Sequence, residues 1–132
     1  MANISNFLAT AILNQVFRNT NYTRPTTVYV ALYTSNPTAA DTGTEVSGGA
    51  YARQAVAFAA PAAVSGKQTI KNSADITFPT ATADWGNITH VGIRDALTGG
   101  NLLYFAALDN PRSILTGDIF KHLSNSISAN LY

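Results

Sequence analysis

Trp85, His90 and Asp95 fall within eleven residues of one another and join an indole, an imidazole and a carboxylate in one short stretch of a 132-residue chain. An imidazole beside a carboxylate is the pairing from which acid–base catalysis or a mixed metal site is built. Each of these chemistries needs company. The second histidine, His122, stands thirty-two residues from His90, with no HxH or HExxH spacing. Asp84, Asp95 or Asp118 would have to join the histidines through the fold, and no spacing announces that they do. Glu45 is the single glutamate and sits in a Gly/Ser loop. Glycoside hydrolysis needs two carboxylates about 5–10 Å apart across a cleft. Asp84 and Asp95 are the nominal pair, but Asp95 stands where a strand enters a turn, a place where Asp bonds its own backbone.

Nucleophiles are no better supplied. The chain has no cysteine, and none of its serines occupies a G-x-S-x-G elbow. Ser47-Gly48-Gly49 and Thr98-Gly99-Gly100 do not lie between a strand and a helix, so they read as turns and not as phosphate cradles. No catalytic residue, metal ligand or cofactor site is assigned. The expectation is a protein that is not an enzyme.

Composition points elsewhere. Charged residues make up 11% of the chain, under half of the usual ~25%. A surface so poor in charge repels itself weakly and lends itself to packing against other protein. The eight basic side chains are scattered and the net charge is +1. Nucleic-acid binding, which needs clustered positive charge, is therefore not expected. No apolar run approaches the ~18 residues of a membrane span, and no export signal opens the chain. Without cysteine there are no disulfides and no thiolate zinc sites.

The elements that must position these residues are mostly strands. Residues 85–108, WGNITHVGIRDALTGGNLLYFAAL, alternate in their first half, with Ile88, His90, Gly92 and Arg94 opposite Thr89, Val91, Ile93 and Asp95. That pattern predicts a half-buried strand, turned at Gly99-Gly100 into a second one. Residues 28–33, VYVALY, are apolar on both faces and predict a central strand. Residues 51–60, 67–71, 74–78, 112–115, 119–123 and 126–131 add short strands, the last two as a terminal pair. Residues 62–66 read as a loop and 109–111 as a turn. Residues 35–49 form a long polar connection, read as an exposed excursion that could reach a partner. One helix is predicted over 4–18, where Ile4, Phe7, Leu8, Ala11, Ile12 and Gln15 share a face and Asn3 or Ser5 caps the start. The expected architecture is mainly β. It is a single domain over 1–132, a β-sandwich or jelly-roll-like body (28–132) with one N-terminal amphipathic helix (1–20). Apolar pattern carried out to Leu131 and Tyr132 suits an ordered terminus.

Three pieces of sequence then stand out: VYVALYTSNPT, SGGAYARQ, and ADWG…THVGI…D…TGGNLL. In order and spacing they resemble a family of small tailed-bacteriophage virion proteins, over about residues 5–110. Many members carry the label tail fibre protein, and others of similar plan are capsid cement or decoration proteins. The resemblance implies a non-enzymatic virion component, assembled in the host cytoplasm. A free fibre usually has shaft-like repeats or a long helical trimerisation segment, and the chain shows neither. The address expected first is therefore the capsid lattice, with the major capsid protein and copies of this chain, as a homotrimer, for partners. The alternatives are a tail-fibre or baseplate adaptor contacting tail proteins, and a carbohydrate-binding module that would need exposed aromatic rings. Three surface features are expected to make contacts: the loop with Asn36, Thr38, Asp41 and Glu45; the helix face with Asn14, Gln15 and Arg18; and Arg53, Arg94 and Arg112 as forks for acidic groups.

Overall fold

A strand that is apolar on both faces must be covered on both, and the fold is arranged around that requirement. A computed structural model describes residues 2–131, so Tyr132 lies outside the described residues. Along the chain run β1 (Asn3–Ile4), α1 (Asn6–Phe17), β2 (Val28–Tyr33), β3 (Gln54–Val56), β4 (Ala62–Val64), β5 (Lys67–Lys71), β6 (Ile76–Thr77), β7 (Gly86–Arg94), β8 (Leu102–Ile114), β9 (Lys121–His122) and β10 (Ser128–Leu131). A five-stranded antiparallel sheet has the order β1-β8-β7-β2-β3, with β2 inside it as its composition requires. A three-stranded sheet, β10-β5-β4, and a two-stranded one, β6-β9, complete the molecule. The architecture is mainly β with one short N-terminal helix, consistent with a β-sandwich.

The inner face of the large sheet contributes Val30, Leu32, Ile88, Val91, Ile93, Leu103 and Ile114 to the main core. Opposite them lie Ile76, Phe78, Phe120 and Ile127 from the smaller sheets and their connections. Trp85 enters this core at 5% exposure, with its indole N–H donated to the Gly49 carbonyl at 2.8 Å. The outer face carries a second cluster of Ala31, Tyr33, Leu102 and Phe105, packed against Ala39 of the connection 35–49.

Strict alternation along β7 does not hold, and the register says why. Ala107 pairs with His90 and Arg112 with Ile88, so residues 108–111 face Thr89 alone. That irregularity moves Ile88 into phase with Val91 and Ile93 inside the core. It also corrects the turn expected at 109–111. Pro111 has no N–H to offer a ladder, and it sits in this unpaired stretch while β8 continues through it to Ile114. A second shift between Ile93 and Arg94 lets Leu102 face outward with Phe105 while Leu103 faces the main core.

Three further expectations are corrected. Residues 62–64 form a strand, turned into β5 by Ser65 and Gly66, both at positive φ. The last two strands do not pair with each other: β9 pairs with β6 and β10 with β5. The helix starts two residues later than the apolar pattern suggested, because Asn3 and Ile4 pair with β8 as an edge strand. Ser5 is the N-cap, its hydroxyl accepting from the Leu8 N–H at 3.1 Å.

Candidate functional site

The residues that chemistry would have used are held by the fold. Asp95 accepts from the backbone N–H of Asn101 at 2.7 Å, closing the hairpin turn. Asp84 accepts from the Thr116 N–H at 2.9 Å and binds a second loop in the same manner. The His90 ring shares a hydrogen bond with the Thr89 hydroxyl at 2.8 Å. His122 lies against the rings of Phe120, with centroids 4.9 Å apart, and Phe78, at 6.4 Å. Burial pulls its pKa down to about 4, and its Nε2 has no partner. Among the described residues no group of three or more His, Asp or Glu stands close enough to hold a metal ion.

The most developed polar arrangement is a pair of arginines at the tip of the β7–β8 hairpin. Arg53 donates to both Glu45 oxygens, at 2.8 and 2.7 Å, in a fork-to-fork pair. Its remaining terminal nitrogen donates to the carbonyls of Ala96 and Gly99, each at 2.8 Å. Arg94 forms the matching fork with Asp41, at 2.8 and 2.9 Å. Arg94 also donates to the Tyr33 hydroxyl at 2.9 Å, to the Gly100 carbonyl at 2.9 Å and to that of Gly99 at 3.3 Å. Both guanidiniums are buried, so a full set of acceptors is what makes them tolerable. The Tyr51 hydroxyl donates to Glu45 at 2.7 Å while accepting from the Leu32 N–H at 3.0 Å.

The electrostatics follow from this geometry. Burial alone would raise the Glu45 carboxyl, but the bonds from Arg53 and Tyr51 and the two nearby guanidinium charges outweigh it and leave its pKa lowered. Burial likewise disfavours the charged Arg94, yet Asp41 and Tyr33 over-compensate and hold it more firmly protonated. Tyr51 is pushed well above the ordinary phenol range by burial and by the Glu45 charge. The network is a fixed brace, with Glu45 ionised and both arginines charged.

These distances correct several expected contacts. Arg53 and Arg94 are not free forks for a partner; they are buried and paired within the chain, and Asp41 and Glu45 are their counter-charges. The connection 35–49 is not an excursion. It packs on the sheet, with Ala39 against the outer cluster, Val46 in the main core and Pro37 buried, and is held by the Val46 N–H to the Leu32 carbonyl at 3.0 Å and the Asn6 N–H to the Ala39 carbonyl at 2.8 Å. Asn36 is exposed but accepts from the Thr38 N–H at 2.9 Å, and the Thr38 and Thr42 hydroxyls bond each other at 2.8 Å. At the end of α1, Asn14 accepts from Arg18 at 3.1 Å and Gln15 accepts from the Tyr22 N–H at 2.6 Å. Those three residues therefore help close the helix. Arg112 is exposed, its guanidinium 5.4 Å from the centroid of the Phe120 ring.

Exposed apolar side chains occur at the hairpin tip and on α1, and also at Val64, Leu115, Ile119, Leu123 and Leu131. Leu97 and Thr98 project at the hairpin tip, rimming an open hollow of about 470 Å³ shared with Glu45, Gly48, Tyr51 and Arg53. On α1, Leu13, Val16 and Phe17 stand in solvent. Sequence reading left this wide stripe open between covering the sheet core and making a second contact with a neighbouring subunit, and the structure leaves Leu13, Val16 and Phe17 uncovered. Asn72 was missed. It is fully buried, donates to the Ala74 and Leu123 carbonyls at 2.9 Å each, accepts from the Ile127 N–H at 2.8 Å, and so ties the C-terminal segment to β5. Nothing in an Asn-Ser pair distinguishes such a hub from an ordinary turn.

Compared with known proteins, residues 3–130 match a family model described as Podophage GP4 fiber I protein gp80. No curated protein matches the chain.

Proposed function

The chain belongs to the Podophage GP4 fiber I protein gp80 family, and from that premise we propose that it is a non-enzymatic structural subunit of the fibre apparatus of a bacteriophage virion. Family membership makes it a virion component. The finer address rests on the match over residues 3–130, whose description names a fibre protein. Two features of the molecule agree with a structural role. Its best-formed polar cluster is taken up by internal bonds and braces a hairpin. Four of its exposed large apolar side chains, Phe7, Leu13, Val16 and Phe17, lie on one helix that has no buried residue. Partners on this reading are tail or baseplate proteins and further copies of the chain, brought together in the host cytoplasm.

A second reading, capsid cement bound to the major capsid protein, draws on the 11% charge content and the lack of shaft-like repeats. Cryo-electron microscopy of intact particles separates the two. The fibre reading expects density for this domain on the tail and none on the shell, and density on the capsid lattice would overturn it. Particles lacking the protein should then release DNA at the same temperature as complete ones, whereas a cement protein would lower that temperature when removed. A carbohydrate-binding role has less to stand on. Trp85 and Tyr51, the rings it would use, form an edge-to-face pair 5.4 Å apart against the core.

A further inference from the structure

Residues 115–127 lie along residues 72–81 as one strap. Within it β9 pairs with β6 through two residue pairs, His122 with Ile76 and Lys121 with Thr77, and these two strands form a sheet of their own. Separate bonds tie the rest. The Ala81 N–H reaches the Asp118 carbonyl at 2.9 Å and the Asn125 N–H the Asn72 carbonyl at 2.8 Å. The Ser124 N–H reaches the Asp75 carboxylate, and the Ile127 N–H the Asn72 side chain, each at 2.8 Å. By contrast, β7 pairs with β8 over eight residue pairs and with β2 over five. The strap is the part that opens first.

His122 is the odd member of its inward row. Its neighbours Ile76, Phe78 and Phe120 are buried and apolar, and its Nε2 is buried with no hydrogen-bond partner. A phenylalanine would fill this place without stranding a polar atom. The neutral imidazole therefore weakens the strap, and a charged one would weaken it far more. The charges around the ring do not relieve that. Lys121 beside it is itself a cation, paired with Asp75 ahead of β6. Arg112 of β8 lies over the Phe120 ring, and His90 of β7 is bonded to Thr89. Asp109 of β8 is exposed and lines a hollow of about 360 Å³ with His122, Ser126 and Ser128, without pairing with the ring.

We propose that residues 115–127 are an acid-released strap with His122 as its catch. A proton taken up by this one ring frees β9 from β6 while the five-stranded sheet keeps its fold, and Phe78 and Phe120 come into contact with solvent. Amide exchange in the native chain, followed by nuclear magnetic resonance and corrected for the intrinsic rate at each pH, tests this. The buried ring titrates at about 4 and a released one at ~6.5. Lowering the pH from 7.5 to 5 should then speed exchange at Ser124, Asn125 and Ile127 about 30-fold. At pH 5 these amides should exchange faster than those of β2 and β7, and their rates should depend only weakly on low concentrations of urea, because little surface opens. The same rates and urea slopes in strap and sheet would mean that His122 is exposed only by global unfolding, and would overturn the proposal. So would a His122 ring that titrates near 6.5 while the strap stays protected. His122→Phe should abolish the acid response of the three amides, and a variant that still opens in acid would place the catch elsewhere.

Discussion

Arg53 and Arg94 show how a buried charge is made tolerable, since each guanidinium divides its donors between a carboxylate and backbone carbonyls of one turn. Removing one partner should be worse than replacing both with apolar residues, because the other charge stays behind without compensation. Arg53→Met is accordingly expected to lose about 2–4 kcal/mol in urea denaturation. The amides of residues 96–100 should exchange faster with solvent in the same variant, and unchanged exchange there would refute the bracing role. His122 makes the acid side of stability predictable. Its native pKa of about 4 lies below the ~6.5 of an unfolded histidine. Between those values the unfolded chain binds a proton that the native one refuses. Its contribution is thus complete above pH 6.5 and falls as pH drops towards 4, by up to about 3 kcal/mol. Glu45, with its lowered native pKa, acts in the same direction further into acid. Lys121, next to His122 in β9, is paired with Asp75 at 3.4 Å, Arg112 lies over the Phe120 ring, and Asp109 lines a hollow with His122. His122→Phe should keep the aromatic packing and flatten the loss between pH 6.5 and 4. A thermal midpoint as acid-sensitive as the parent's would assign the effect elsewhere.

At the scale of elements, the β7–β8 pair shows bulges doing what alternation alone could not. Each shift in register turns one residue to the other face, which lets a single pair of strands supply both the main core and the outer cluster. Gly92 lies where the outer cluster is tightest. A Cβ there would meet the Leu102 Cδ1 and Tyr33 Cε1 at 2.8 Å each. Gly92→Ala should therefore destabilise by about 1–3 kcal/mol through overpacking, read from the shift in denaturation midpoint. A neutral result would mean that Leu102 can change rotamer freely. At the hairpin tip, Gly99 and Gly100 both have positive φ, as the turn chemistry demanded.

For the molecule as a whole, the connection 35–49 is built into the fold: it bridges Tyr33 of β2 through Glu45, sends Val46 into the main core and lays Ala39 on the outer cluster. Its cleavage should require global unfolding. Under native conditions thermolysin is expected to leave residues 35–49 intact for as long as the sheet persists. Prompt cutting inside that segment, seen by mass spectrometry, would mean that it is mobile after all.

Much of this could be read from the residues. The apolar faces of 28–33 demand a central strand, and Gly99-Gly100 demands a turn. Asp95 at the end of a strand demands a backbone partner, and the quoted motifs carry the family. These features are local, set by side-chain period and backbone preference within a few residues. What only the tertiary structure decided depends on who meets whom. Both faces of 28–33 needed cover, but nothing local says that 35–49 provides it. Pro111 looked like a turn because a bulge is defined by the partner strand and not by its own sequence. Arg53 and Arg94 read as surface forks because Glu45 lies eight residues from one and Asp41 fifty-three from the other. The stripe on α1 stayed open between core and neighbouring subunit because sequence periodicity states only that a helix has an apolar side, and packing shows how much of that side the chain itself covers.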